Sequence, residues 1–169
     1  INDLSYIHNG EKLAAARAPL TLFLFSDPET LYDVKGLLLG CADSRLSNNA
    51  IEQAKKLREQ YKTQPFTAVY TSPLGRAKEW CNRVIDTASQ PPVICDNLRE
   101  IKLTLWEAEK RSVLETQYAG DYAALSAGGD ALLHYESPVG GESGAAAANR
   151  LDACLREIGE KHEFSGGAV

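Results

Sequence analysis

The sequence predicts an α/β fold: a parallel-rich central sheet with helices on both faces. Three observations carry that expectation. Short apolar runs at 20–25, 66–70 and 93–95 alternate with stretches whose apolar residues recur every three or four positions, the pattern that builds βαβ units. Proline bounds each run, with Pro28 after the first, Pro73 after the second and Pro91-Pro92 before the third, so each ends in a turn. A length of 169 residues with 44% hydrophobic content supplies one domain with a single core.

Residues 1–19 read as an N-terminal extension, with a polar start, an Asn9-Gly10 turn signal and a short helix candidate before Pro19. Residues 20–169 then form the domain. The continuous apolar run at 20–25 fits a first strand buried on both faces. Residues 29–45 carry Gly36 and Gly40 and no sustained period, which predicts a long connecting loop of the kind that bears function. Ser47, Asn48 and Asn49 offer caps ahead of Ile51, Ala54, Leu57 and Tyr61, predicting a helix over 49–61. After the second strand, Ser72 is placed as an N-cap and Pro73 as the first helical residue, ahead of Leu74, Ala77, Cys81 and Val84. A third strand at 93–95, a mostly helical stretch at 108–125, and a last helix marked by Ala148, Leu151, Leu155 and Ile158 complete the order. In such a sheet the functional groups gather at the carboxyl ends of the strands, in the loops after Phe25, Tyr70 and Cys95.

The charge balance, 18 Lys+Arg against 23 Asp+Glu for a net −5, has no basic segment to follow a phosphate backbone or an anionic membrane. Neither nucleic acid nor membrane is therefore an expected partner. No apolar stretch approaches the roughly 20 residues of a membrane span, and the first residues lack the apolar core of a signal peptide. A cytoplasmic location is the expectation. Cys41, Cys81, Cys95 and Cys154 have no spacing that suits zinc or a redox pair, so they read as buried thiols. His8, His134 and His162 read as surface residues, and Trp80 and Trp106 as core.

The strand-end loops carry Glu29-Thr30, then Thr71-Ser72-Pro73-Leu74-Gly75-Arg76-Ala77, then Leu98-Arg99-Glu100. Around them lie Gly36, Gly40, Asp43, Leu46-Ser47, Gln53-Ala54, Trp106-Glu107 and Pro138-Val139-Gly140-Gly141-Glu142-Ser143. In this order and at nearly ungapped spacing, the set resembles the histidine phosphatase superfamily, the phosphoglycerate-mutase-like group, from about Leu20 onward. That family opens with Arg-His-Gly-Glu-Thr and continues through Ser-Ser-Pro-Leu-x-Arg-Ala, Leu-x-Glu, a glycine-flanked Trp-Glu and Pro-Gly-Gly-Glu-Ser.

The resemblance implies roles. The family's first-motif Arg clamps phosphate and its His takes the phosphoryl group; Ser26 and Asp27 stand at those positions, and Pro28 stands for the Gly. Glu100 has the place of the proton donor, Asp33 that of an Asn, and Ser72 and Arg76 lie in the second phosphate-binding motif. The flanking glycines are lost, at Leu103 or Thr104 and at Ala108. The family's second His follows a strand that Ser165 to Val169 would open, so on this reading the chain stops before it.

Phosphoryl transfer needs a neutral imidazole aimed at phosphorus and cations around the equatorial oxygens. Exchanging Arg and His for Ser and Asp moves the local charge by about two units toward negative, and one like charge about 4 Å from an anion costs roughly 4 kcal/mol at an effective dielectric of 20. The expected protein is thus a histidine-phosphatase-fold chain with a degenerate phosphate pocket, facing a small phosphorylated molecule or a protein as ligand. Asp27 and Glu100 occupy its catalytic positions, and Ser26, Asp33, Ser72 and Arg76 its substrate-binding ones. The alternative is a phosphomonoesterase that acts through Asp27 or a metal ion. No cofactor is expected. Asp27 reads equally as a turn residue ahead of Pro28, and Glu100 as a solvated loop residue. If the loops converge as in the family, Asp27 and Arg76 should lie within ion-pair distance, with Glu100 nearby.

Overall fold

The structure is a computed structural model that describes residues 20–162 and residue 169. The expected extension at 1–19, including His8, and the expected strand start at 165–168 lie outside the described residues. The central pairing is parallel: β1 (Tyr70–Thr71) sets Tyr70 opposite Val93 and Thr71 opposite Ile94 of β2 (Val93–Ile94). Helix α3 (Gly75–Val84) connects them, which makes the βαβ unit that the alternation predicted.

Segment 20–25 differs from the fully buried strand expected. Val169 N–H donates to the Thr21 carbonyl at 2.9 Å and the Phe23 N–H to the Val169 carbonyl at 2.7 Å, the slanted spacing of a parallel ladder. Leu24 is 76% exposed, however, and Phe25 is also exposed. The apolar content serves an aromatic cluster instead, in which Phe23 meets Tyr61 and Phe66 edge-on at 5.7 and 5.5 Å between centroids. The second strand is shorter than expected because the Phe66 N–H turns back onto the Gln64 carbonyl at 3.0 Å.

The expected loop at 29–45 contains one turn of helix, α1 (Leu31–Val34). Thr30 and Asp33 cap each other reciprocally there, with Thr30 Oγ1 accepting the Asp33 N–H and Asp33 Oδ2 accepting the Thr30 N–H. Backbone bonds from Leu31 to Arg45 and from Ser47 to Glu29 fasten its two ends together. Helix α2 (Asn48–Tyr61) starts at the expected cap, Ser47, whose Oγ accepts the Ala50 N–H at 3.1 Å. Its small residues Ala50 and Ala54 join Leu46, Trp80 and Val84 in one core cluster, so α2 and α3 pack closely.

The stretch 108–125 resolves into α4 (Arg111–Gln117) and α5 (Ala119–Ala127), broken at Tyr118, whose ring stacks obliquely on Trp106 at 5.2 Å. A short α6 (Gly129–Leu133), not expected from the sequence, follows. Helix α7 (Gly144–His162) begins ahead of Ala148 because Gly144 lies against α6; a Cβ there would stand 1.6 Å from the Leu132 carbonyl oxygen. Trp106 centres the second core cluster with Ile101, Leu103, Leu114, Tyr122 and Tyr135, and Trp80 is likewise buried. His134 is exposed as expected, but His162 is half-buried and hydrogen-bonds the Tyr70 hydroxyl at 2.9 Å, tying the end of α7 to β1. Among the described residues no helix is long and apolar enough to cross a membrane.

Two positions beside Trp106-Glu107 adopt the left-handed backbone region. Thr104 (φ +49°) and Ala108 (φ +64°) are the only described non-glycine residues with positive φ, a conformation that costs an L-residue about 1–2 kcal/mol. The turn is kept because it buries Trp106 and aims Glu107 at the N–H groups of Leu103 and Cys41, each 3.0 Å from Oε1. Ala108→Gly should therefore stabilise the fold by about 0.5–1 kcal/mol after allowing for glycine's extra unfolded-state entropy. A chemical-denaturation midpoint at or below that of the parent would contradict this account.

Candidate functional site

Arg76 is the residue around which the site is built. It enters from the first turn of α3, and its side chain is 0% exposed although the guanidinium stays charged. Nε and Nη2 both lie 2.9 Å from Asp27 Oδ2, while Nη1 donates to the Ala42 carbonyl at 2.9 Å and Nη2 to the Gly40 carbonyl at 3.0 Å. The expected ion pair is therefore present. Asp27 is 45% exposed at its side chain, so the carboxylate pairs with the buried guanidinium and meets solvent itself.

The loop before α2 makes that arrangement possible. Helix α3 starts at Gly75, not at Pro73, and its N-cap residue Leu74 contributes no side-chain bond. Asp43 caps it from a distance, accepting the N–H groups of Gly75 at 2.6 Å and Arg76 at 3.0 Å. Ser72 instead uses its hydroxyl to accept the Leu74 N–H at 3.3 Å. Gly75 is required by contact, since a Cβ would sit 2.1 Å from Asp43 Oδ2. Gly40 has φ +57° and a Cβ there would stand 2.8 Å from Glu107 Oε1. Asp43, Gly40 and Ala42 thus hold the helix end and the guanidinium together.

A second ion pair lies at the rim, where Arg111 Nη2 meets Asp33 Oδ1 at 2.9 Å while Asp33 Oδ2 holds Thr30. Asp33 is therefore a capping and pairing residue. Glu29 accepts a hydrogen bond from the Ser47 hydroxyl. The Glu100 carboxylate folds back to accept the Ile101 N–H at 2.8 Å. Its backbone is held by Arg150 from α7, which donates to the carbonyls of Asn97, Arg99 and Glu100 at 2.8, 2.7 and 3.2 Å. Nε and Nη2 of Arg150 grip the Glu142 carboxylate at 2.6 and 2.8 Å. The hydrogen bond from Arg150 holds the Glu142 carboxyl below the usual carboxylate range, against the opposing effect of burial.

These elements surround a cleft of about 430 Å³. Asp27, Asp33, Arg76 and Glu100 line it together with Glu29 and Arg111, so four carboxylates face two guanidiniums that are already paired. Ser26 and Ser72 do not line it; Ser26 is exposed and Ser72 belongs to the turn before α3. Arg111, Arg150 and Asp43 went unrecognised as site-building residues in the sequence. Asp43 and Glu142 did fall inside recognisable motifs, whereas no local pattern distinguishes Arg111 or Arg150 from solvated helix charges.

A phosphoglycerate-mutase-like α/β fold is what this arrangement of parallel pairing, helices and strand-end cleft defines. Residues 23–169 match the histidine phosphatase superfamily (branch 1), and the chain belongs to that family. It is 29% identical over 140 residues to an adenosylcobalamin/alpha-ribazole phosphatase of Salmonella typhi, covering 83% of this chain and 67% of the relative. It is 30% identical over 141 residues to the probable phosphoglycerate mutase GpmB of Proteus mirabilis, covering 80% and 61%. Among solved structures, Bacillus stearothermophilus YhfR superposes with a TM-score of 0.76 at 26% identity, covering 89% of this chain and 71% of that one. The aligned parts span 67%, 52% and 61% of the lengths of three curated relatives.

Two substitutions probe the supports of the site. Gly75→Ala should displace the Asp43 cap and cost about 1–2 kcal/mol, the magnitude of losing an N-cap, read as a lower denaturation midpoint. Glu142→Gln should cost about 2 kcal/mol at neutral pH, as for a charged hydrogen bond. Because the folded-state pKa of Glu142 is depressed, its contribution is present above the unfolded carboxylate value near ~4.3 and is lost as pH falls through the folded value. The gap between parent and variant should therefore narrow in acid, and a gap constant from pH ~7 to ~3 would contradict the linkage.

Proposed function

We infer that this chain is a histidine-phosphatase-fold protein whose phosphate pocket is closed from within and which lacks phosphohistidine chemistry. Its relatives are phosphatases and phosphomutase-like proteins by name, and the substrate class this reading starts from is a small phosphorylated molecule. Ser26 and Asp27 stand where the family pattern has its phosphate-clamping Arg and its nucleophilic His. The observation that carries the reading is the internal pairing of Arg76: one carboxylate and two backbone carbonyls accept its hydrogen bonds. An incoming phosphate would have to expel Asp27 from a buried guanidinium while facing Glu29, Asp33 and Glu100 as further like charges. The role that suits such a cleft is binding or regulation through the fold and not turnover.

Asp27→Ala provides the test. The variant leaves the guanidinium of Arg76 without its carboxylate, and with Asp27 half-exposed to solvent the expected cost is about 1–2 kcal/mol, discounted for screening. Orthophosphate should recover that loss in the variant and leave the thermal midpoint of the parent unchanged. Phosphate binding by the parent that disappears in Arg76→Ala would overturn the closed-pocket reading. Hydrolysis of p-nitrophenyl phosphate that requires Asp27 and rises with Mg²⁺ would support instead a phosphomonoesterase acting through Asp27 or a metal ion.

A further inference from the structure

Cys95 directly follows β2, and Cys154 lies on α7. The sulfurs are 2.9 Å apart although 59 residues separate them in the chain. No local spacing in the sequence could announce this approach; packing produces it. Arg150 lies one turn before Cys154 on the same face of α7, and its guanidinium fastens the carbonyls of Asn97 and Arg99 at 2.8 and 2.7 Å. The helix and the segment after Cys95 are thereby clamped beside the sulfur pair. Cys154 is 1% exposed, whereas Cys95 is only partly buried and can be reached from solvent. The expectation of four buried thiols thus fails at Cys95, and also at Cys41, which is partly exposed.

We propose that Cys95 and Cys154 form a reversible intramolecular disulfide, with a low-molecular-weight disulfide as the oxidant. The Cys95 thiolate attacks one sulfur of that disulfide, its S–S bond breaks, and one small thiolate leaves. The Cys154 sulfur then attacks Cys95 in the mixed disulfide, expels the second small thiolate and gives its proton to it or to water. Each cysteine loses one electron, and the small disulfide gains two. The order follows from the surroundings, since burial first, and then the hydrogen bond and charge of Cys95, push the Cys154 thiol up to about 12. Cys95 is the accessible partner and Cys154 the resolving one.

The bond would lock the segment that carries Glu100 onto α7, reinforcing the Arg150 clamp. Two other cysteines serve as internal controls. Burial raises Cys81 within α3, and burial with the nearby Glu107 charge raises Cys41, whose thiol donates to the Glu100 carbonyl at 3.2 Å. Both are held as thiols.

The test treats the full native chain with glutathione disulfide, quenches with acid and maps the alkylated peptides. Free thiols should fall from four to two, with the loss of two hydrogens in the intact mass and one linked peptide pair, Cys95 with Cys154. Dithiothreitol should restore all four, and the oxidised form should melt roughly 5–10 °C higher, as for a cross-link closing a long loop. In Cys154→Ser the reaction should stop at a glutathione adduct on Cys95. A parent that keeps four thiols, accumulates stable glutathione adducts, links Cys41 or Cys81, or melts lower once oxidised would overturn the proposal. Mapping of the parent needs no variant, so a misfolded Cys154→Ser protein leaves the answer intact.

Discussion

A guanidinium that cannot be neutralised, placed out of contact with water, must be given acceptors. Arg76 imposes that demand on this structure, and two segments distant in sequence answer it. The turn after the first apolar run supplies Asp27, and the loop before α2 supplies the carbonyls of Gly40 and Ala42. That same loop supplies Asp43, which fixes the end of the helix on which Arg76 rides. Losing any one of these leaves either a buried charge or an open helix terminus, so the segments are constrained together.

Arg150 repeats the logic on the other side of the cleft. Its donors are shared between the Glu142 carboxylate and the carbonyls of the segment leading to Glu100. The depressed pKa of Glu142 expresses the same fact as a charge preference: the folded state favours the ionised carboxylate because the guanidinium is already there. One arginine therefore shapes the floor of the cleft and the other shapes the segment at its edge. Thr104 and Ala108, the two non-glycine residues at positive φ among the described residues, hold a turn that buries Trp106 and aims Glu107 at backbone N–H groups.

Much of the fold was legible because its causes are local. Ser47 capping α2, the apolar faces of α2 and α3, the parallel pairing around a crossover helix and the burial of both tryptophans all follow from patterns a few residues long. The structure departs from the local signal where a distant one competes with it. Ser72-Pro73 carries a good helix-start signal, yet α3 starts at Gly75 because Asp43 offers a charged cap across 32 residues of chain. The run at 20–25 has the composition of a fully buried strand, yet Leu24 and Phe25 face solvent while Phe23 joins an aromatic cluster. Ser26 matches a pocket position by motif, yet the residue is exposed and does not line the cleft.

The sequence by itself determined the order of elements and the family pattern, because these depend on residue type and on spacing along the chain. Through the family resemblance, which brings the first two strand-end loops together, it also implied the Asp27–Arg76 pair, since a carboxylate is the best geometric match for a guanidinium. The tertiary structure alone decided that Arg111 would hold Asp33, that Arg150 would fasten the segment before Glu100, and that Cys95 would meet Cys154. The physical reason is that these contacts span 51 to 78 residues of chain. No local period encodes such pairs, and only the packing of helices against the strand-end loops brings them together.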